Sequence, residues 1–190
     1  MTFTTIAELP WWDLAEVADH DAAIFGPTAW TLGYYWAVKA QNGTIMLAAR
    51  TTSAGDTNAN VNFTDDGEDA TASARELAAN ANFADDGEDG TASAGELAGW
   101  IVMSSAGAEA DVMTIATTEA ARGKGIGRDL LQAGIDWAKD CGADVVHLEV
   151  DERNASALAL YASFGFEEWG RRPDYYPGAA GILMRLRTTA

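Results

Sequence analysis

Three glycines and three basic side chains fill six of seven consecutive positions, Arg122-Gly123-Lys124-Gly125-Ile126-Gly127-Arg128, between an apolar run ending near Thr117 and a stretch with helical periodicity. Glycine lets the backbone approach a ligand closely and turn its N–H groups inward, and the N-terminus of the next helix adds positive potential. That potential favours an anion by about 0.3–1 kcal/mol. The loop has the composition of a pyrophosphate cradle. Arg122, Lys124 and Arg128 are three of only 12 Lys and Arg in a 190-residue chain of formal net charge -17. The local field is positive while the chain as a whole is strongly acidic, so neither nucleic acid nor a membrane surface is expected as a partner.

Other phosphate-binding designs fit less well. A nucleotide-triphosphate loop needs Lys followed by Ser or Thr after its last glycine, and that pair is absent. A dinucleotide fold keeps a ribose-binding acid at the end of the next strand, where Glu149 stands. A GxGxxG register opening at Gly123, however, puts Arg128 at the third glycine, and the preceding strands read as antiparallel.

The segments around the loop alternate between strand and helix. Residues 10–24 read as a helix opening at Pro10, and Thr28 is placed to cap a second helix running to about Lys39. Asn42-Gly43 turns into a strand at 44–49, and 100–104 with 112–117 reads as an antiparallel pair. Helix 125–140 carries Leu131, Ile135 and Ala138 on one face and stops at Gly142. In strand 144–150, Val146, Leu148 and Val150 face one way and Val145, His147 and Glu149 the other. Asn154 caps a helix with the stripe Ala157, Leu160, Tyr161 and Phe164, closed by Gly165, and strands are expected near 167–171 and 182–186. The expected fold is α+β: a mixed, mostly antiparallel sheet flanked by helices. Hydrophobic residues at 48%, with seven tryptophans, suffice for a core.

One stretch does not belong to this pattern. Residues 60–79 align without gaps with 80–99 at 15 of 20 positions. Two copies whose large apolar residues are only Phe and Leu cannot build a repeat architecture. Between Thr51 and Ala98 eleven acidic residues face one basic residue, Arg75, so 51–98 reads as a mobile acidic insert within a single domain, 1–190. Asn62, Thr64, Asp66 and Gly67 have the opening spacing of a calcium loop, but Ser73 stands where a bidentate Glu is required, and no metal is expected. The single cysteine, Cys141, excludes an internal disulfide and has no visible activating partner. The longest apolar run is six residues, Ala157 to Ala162, against about 20 for a membrane span. The first basic residue is Lys39, so no secretory signal is expected and a cytoplasmic location is the default.

Val112 to Arg187 resembles the Gcn5-related N-acetyltransferase family, whose acetyl-coenzyme A loop follows Arg/Gln-x-x-Gly-x-Gly/Ala, met here by Arg122, Gly125 and Gly127. The resemblance extends through Thr114-Ile115-Ala116, His147-Leu148-Glu149-Val150, Ala159-Leu160-Tyr161, Phe164-Gly165-Phe166 and Arg171-Arg172 with Tyr175-Tyr176-Pro177. It is looser through Ala23-Ile24-Phe25 and Trp30. Glu119 stands where relatives often have proline, and the acidic insert is foreign to the pattern.

The resemblance implies an acetyl-coenzyme A-dependent acyltransferase. It is closest to the bacterial enzymes that acetylate the N-terminal alanine of a small-subunit ribosomal protein, and a basic protein substrate suits an acidic chain. It places Arg122, Gly123, Lys124, Gly125, Ile126, Gly127 and Arg128 on the phosphates. The main chain of Ile115 and Thr117, with Asn154, goes to the pantetheine, although helix capping explains Asn154 equally well. An α-amino group titrates near about 7.7–8.0 and gains from a base, the role implied for Glu149. Tyr161 is implied as the proton donor to the departing thiolate, and Tyr175 and Tyr176 as shaping the substrate groove. His20 and His147 receive no role. A small amine or lysine acceptor, or a non-catalytic acetyl-coenzyme A-binding module, are the alternatives. The oligomeric state is not readable.

Overall fold

The computed structural model describes residues 2–53 and 93–188. Its strands are β1 (Thr2–Glu8), β2 (Thr44–Ser53), β3 (Glu96–Ala106), β4 (Glu109–Thr117), β5 (Val145–Asp151), β6 (Glu167–Tyr176) and β7 (Ala179–Arg187). Its α-helices are α1 (Leu14–Phe25), α2 (Leu32–Lys39), α3 (Ile126–Asp140) and α4 (Ala155–Ser163). The strands form one sheet in the order β1-β2-β3-β4-β5-β7-β6. Every neighbouring pair is antiparallel except β4 with β5. The expected mixed, mostly antiparallel sheet flanked by helices is the observed one.

Side-chain alternation sorts the centre of the sheet into two cores. In β3, Leu97, Trp100 and Val102 pack with Leu14, Val17, Tyr35 and Val38 of α1 and α2. Their neighbours Ile101 and Met103 pack with Leu130, Leu131 and Ile135 of α3. A strand covered on both faces reads as a continuous apolar run, as this one does. In β5 the buried side chains are Val146, Leu148 and Val150, on the face shared with α3 and Tyr161 of α4, which leaves Glu149 on the opposite face.

Several boundaries differ from the sequence reading. The segment after Pro10 makes a single 3-10 turn, Trp11–Asp13, before α1 begins. Thr28 is not the cap of α2: its hydroxyl donates to the Phe25 carbonyl at 3.0 Å, and Thr31 accepts from the Tyr34 N–H instead. Thr28 is the last residue of a proline-containing turn, Gly26–Thr28, that periodicity does not reveal, and Thr31 lies three residues beyond it. β1 was not anticipated, because it is an edge strand exposed along most of its length and lacks the alternation that marks a half-buried strand. β6 runs on to Tyr176 through an irregularity between Arg172 and Tyr176, where Asp174 takes φ 53 next to Pro173. The first copy of the acidic repeat, most of the second, the calcium-like spacing and most of the expected insert 51–98 fall outside the described residues. At the ends of that stretch, β2 continues to Ser53, β3 starts at Glu96, and Thr51 lies opposite Glu96.

A buried ion cluster fastens β2 to the start of α1. Arg50 Nη2 donates to Asp13 Oδ2 at 2.8 Å and to Glu16 Oε2 at 2.6 Å, while Nη1 donates to the Gly95 carbonyl at 3.0 Å. Removing one partner of a buried pair leaves the other charge without compensation. Arg50→Ala is therefore expected to lower the unfolding free energy by about 3 kcal/mol in urea titrations. Glu16 is more exposed, and Glu16→Ala should cost less than about 1 kcal/mol.

Candidate active site

The parallel ladder between β4 and β5 is short. It pairs Glu109 with Val145, Ala110 with Val146 and Asp111 with His147, and goes no further. From Val112 to Thr117, β4 keeps β3 on one side and, among the described residues, has no strand partner on the other. Backbone polar groups along that open edge need another partner or solvent. The sheet thus parts into a cleft between β4 and β5, with the glycine loop and α3 at the end of β4.

Gly125 is the N-cap of α3 in a left-handed conformation, φ 86, with no side chain closing the cap. A residue bearing a Cβ is strained there. The N–H groups of Gly123 through Gly127 donate to no backbone carbonyl among the described residues, whereas Arg128 and Asp129 donate back to the Gly125 carbonyl at 2.9 and 3.1 Å. The loop presents consecutive unpaired donors at a helix N-terminus, a site for an anion. A groove of about 710 Å³ starts at this loop. Of the residues anticipated from the sequence, Ile115, Thr117, Arg122, Gly123, Gly125, Ile126, Gly127, Arg128, Asn154 and Tyr161 line it, and Lys124 does not. Ile24 and Phe25, at the end of α1, also line it.

Two of these residues carry structural duties as well. Arg128 Nη2 donates to Ser163 Oγ at 2.7 Å, and its guanidinium lies 4.9 Å from the Phe164 ring centre, bracing α3 against the end of α4. Asn154 Oδ1 accepts from the Ala157 N–H at 3.1 Å, so this residue is the helix cap that the sequence indicated while also facing the groove.

Glu149, Tyr175 and Tyr176 lie off the groove lining and form a second group. Glu149 Oε2 accepts from Arg172 Nη1 at 3.0 Å, and the Arg172 guanidinium lies 4.9 Å from the Tyr175 ring centre. Tyr175 and Tyr176 stack edge to face at 5.1 Å. Tyr176 bridges the two groups electrostatically. Its phenol is pushed up to about 12, first by burial and then by Glu149, and it in turn acts on Tyr161. Tyr161 is 6% exposed, and its phenol is pushed up to about 12, mainly by burial and then by Tyr176. Burial penalises the tyrosinate, so Tyr161 keeps its O–H through the whole neutral and mildly alkaline range.

Sequence reasoning missed what holds Glu149. Arg172 was visible only as part of a basic-aromatic stretch, and its partner depends on the β6–β7–β5 register. Gly181 gave no signal, yet a Cβ there would stand 2.5 Å from Glu149 Oε1. Among the described residues, no group of three or more metal-ligating side chains is present, and no helix is long and apolar enough to cross a membrane.

Residues 57–166 match the model of the acetyltransferase (GNAT) family, and the chain belongs to that family. It is 46% identical over 79 residues to the N-alpha-acetyltransferase RimI of Mycobacterium tuberculosis, a match covering 40% of this chain and 48% of that protein. It is 42% identical over 82 residues to the ribosomal protein bS18-alanine N-acetyltransferase of Salmonella typhimurium, covering 41% of this chain and 55% of the relative. The matches thus span about half the length of these curated relatives. The crystal structure of the ribosomal-protein-S18-alanine N-acetyltransferase from Escherichia coli shares the fold, with a TM-score of 0.69 at 21% identity, over 99% of this chain and 96% of that one.

The shifted phenols give a spectroscopic prediction. A tyrosine whose folded pKa lies above its unfolded value near 10 contributes stability that is complete below pH 10 and is lost as pH rises through about 12. Alkaline absorbance titration of the folded protein should show phenols ionising near pH 12, and Tyr161→Phe should remove one of them.

Proposed function

We propose that this chain is an Nα-acetyltransferase that moves acetyl from acetyl-coenzyme A to the N-terminal alanine of a basic small-subunit ribosomal protein, in the cytoplasm. Residues 1–190 would form one catalytic domain, with the acidic stretch within 51–98 as an addition to it. The observation that carries this reading is a single groove beginning at unpaired loop amides and reaching a buried, protonated phenol. That length and polarity suit an elongated ligand with a diphosphate at one end.

In this reading the N–H groups from Gly123 to Gly127 hold the diphosphate, and Arg122, Lys124 and Arg128 supply positive field around it. The open edge of β4 at Ile115 and Thr117 offers main-chain donors and acceptors to the pantetheine, with Asn154 opposite. Acetyl-coenzyme A supplies a thioester carbonyl for attack and a thiolate leaving group. Glu149 takes a proton from the α-amino group, directly or through water, as the N–C bond forms. Tyr161 gives its proton to sulfur as the C–S bond breaks; a free thiol, at about 8.5, is a stronger acid than this phenol, so the transfer is uphill by itself and proceeds in concert with C–S cleavage and proton loss to Glu149. Tyr175 and Tyr176 border the acceptor next to Glu149. Acceptor specificity is supported by the curated relatives named for ribosomal protein alanine acetylation.

The test is thiol release from acetyl-coenzyme A with a peptide bearing the N-terminal alanine sequence of the ribosomal protein. Blocking the peptide's α-amino group should abolish release, and continued turnover would point to a lysine acceptor. Glu149→Gln and Tyr161→Phe should each lower kcat by about 100-fold or more while leaving acetyl-coenzyme A affinity within about twofold. Unchanged turnover in both would remove these roles.

A further inference from the structure

Glu149 depends on one hydrogen bond. Arg172 Nη1 donates to Oε2 at 3.0 Å, while Oε1 is shielded from solvent and has no partner among the described residues. A carboxylate has acceptor capacity for several donors, so a single donor leaves its plane fixed at one point only. The rest of its placement is steric. Gly181 on β7 lies next to Oε1, and only the absence of a Cβ leaves the carboxylate room.

Arg172 reaches Glu149 from two strands away. Arg172 on β6 pairs with Gly181 on β7, and Gly181 pairs with Asp151 on β5, two residues beyond Glu149. The guanidinium crosses β7 above a glycine, where a larger residue would intrude. It is held on its other side by the Tyr175 ring, 4.9 Å from the ring centre. A planar guanidinium matches both surfaces, stacking on the ring and donating in its plane to the oxygen. With the Arg172 side chain 56% exposed, the pair contributes little to stability, so its consequence is geometric.

We propose that Arg172 is a positioning residue, held by Tyr175, that orients the Glu149 carboxylate for proton transfer. The inference rests on Glu149 being the base of the reaction proposed above. Arg172 touches neither reacting atom and acts only through that carboxylate.

The experiment measures steady-state turnover with acetyl-coenzyme A and the N-terminal alanine peptide, and acetyl-coenzyme A binding by calorimetry. Arg172→Met keeps an unbranched stem against Tyr175 and removes the donor. It should lower kcat by about tenfold or more with acetyl-coenzyme A affinity unchanged, since small misplacements of a reacting group carry large rate losses. Arg172→Lys retains a charged donor without the planar fork and should recover part of the loss. The double variant Glu149→Gln with Arg172→Met should be no slower than Glu149→Gln alone, because the second residue acts through the first. Parent-like kcat in Arg172→Met with an inactive Glu149→Gln would overturn the positioning role and leave the base intact. A double variant slower than Glu149→Gln by the full Arg172→Met factor would overturn it as well. Full turnover in Glu149→Gln would instead remove the base itself, a separate failure.

Discussion

After three paired residues, β4 and β5 part company, and the remaining architecture follows from that divergence. A central strand that loses a neighbour exposes a row of amide and carbonyl groups that water or a ligand must satisfy. The sheet tolerates this because β3, buried on both faces, anchors β4 from the other side, and α3 packs across β2, β3 and β4. The gap therefore opens in a rigid frame. The glycine loop is delivered to its end by β4 and carried onward by α3, so unpaired amides from a strand edge and a helix start face one groove.

How much of this was readable depended on the range of the forces involved. The glycine loop, the α3 stripe and the Asn154 cap are local: a few adjacent residues determine each one, and each stands where the sequence indicated. The face assignment of β5 was equally legible, because strict alternation leaves Glu149 opposite Val146, Leu148 and Val150. The contacts that hold Glu149 were not. Arg172 and Gly181 meet it only through the pairing of β6 with β7 and β7 with β5, a register the chain does not announce locally. The cap of α2 lies three residues beyond the expected one because Thr28 and Thr31 are chemically equivalent, and the Gly26–Thr28 turn takes up the first of them. β1 escaped notice for lack of a buried face.

Charge is distributed against the grain of the whole molecule. A chain of net charge -17 concentrates Arg122, Lys124 and Arg128 at one helix start. Within about a Debye length, roughly 8–10 Å at ordinary salt, that cluster governs what an approaching anion feels, while the acidic remainder is screened. An anionic ligand and a cationic partner can thus be accommodated by different regions of one surface. The buried Arg50 guanidinium follows the opposite logic, since Asp13 and Glu16 both engage it, which leaves the cluster one net negative charge and the cation unavailable to an approaching anion.

The irregularity in β6 at Pro173 and Asp174 has a consequence beyond the orientation of the two tyrosines that follow it. β6 is the last strand of the sheet, and a regular outer strand is an invitation to foreign chains seeking a ladder to join. Proline withholds a donor there and the left-handed aspartate breaks the flat repeat, so a visiting strand finds no continuous template. The kink that precedes Tyr175 and Tyr176 also guards the molecule's flank against fibrous self-assembly.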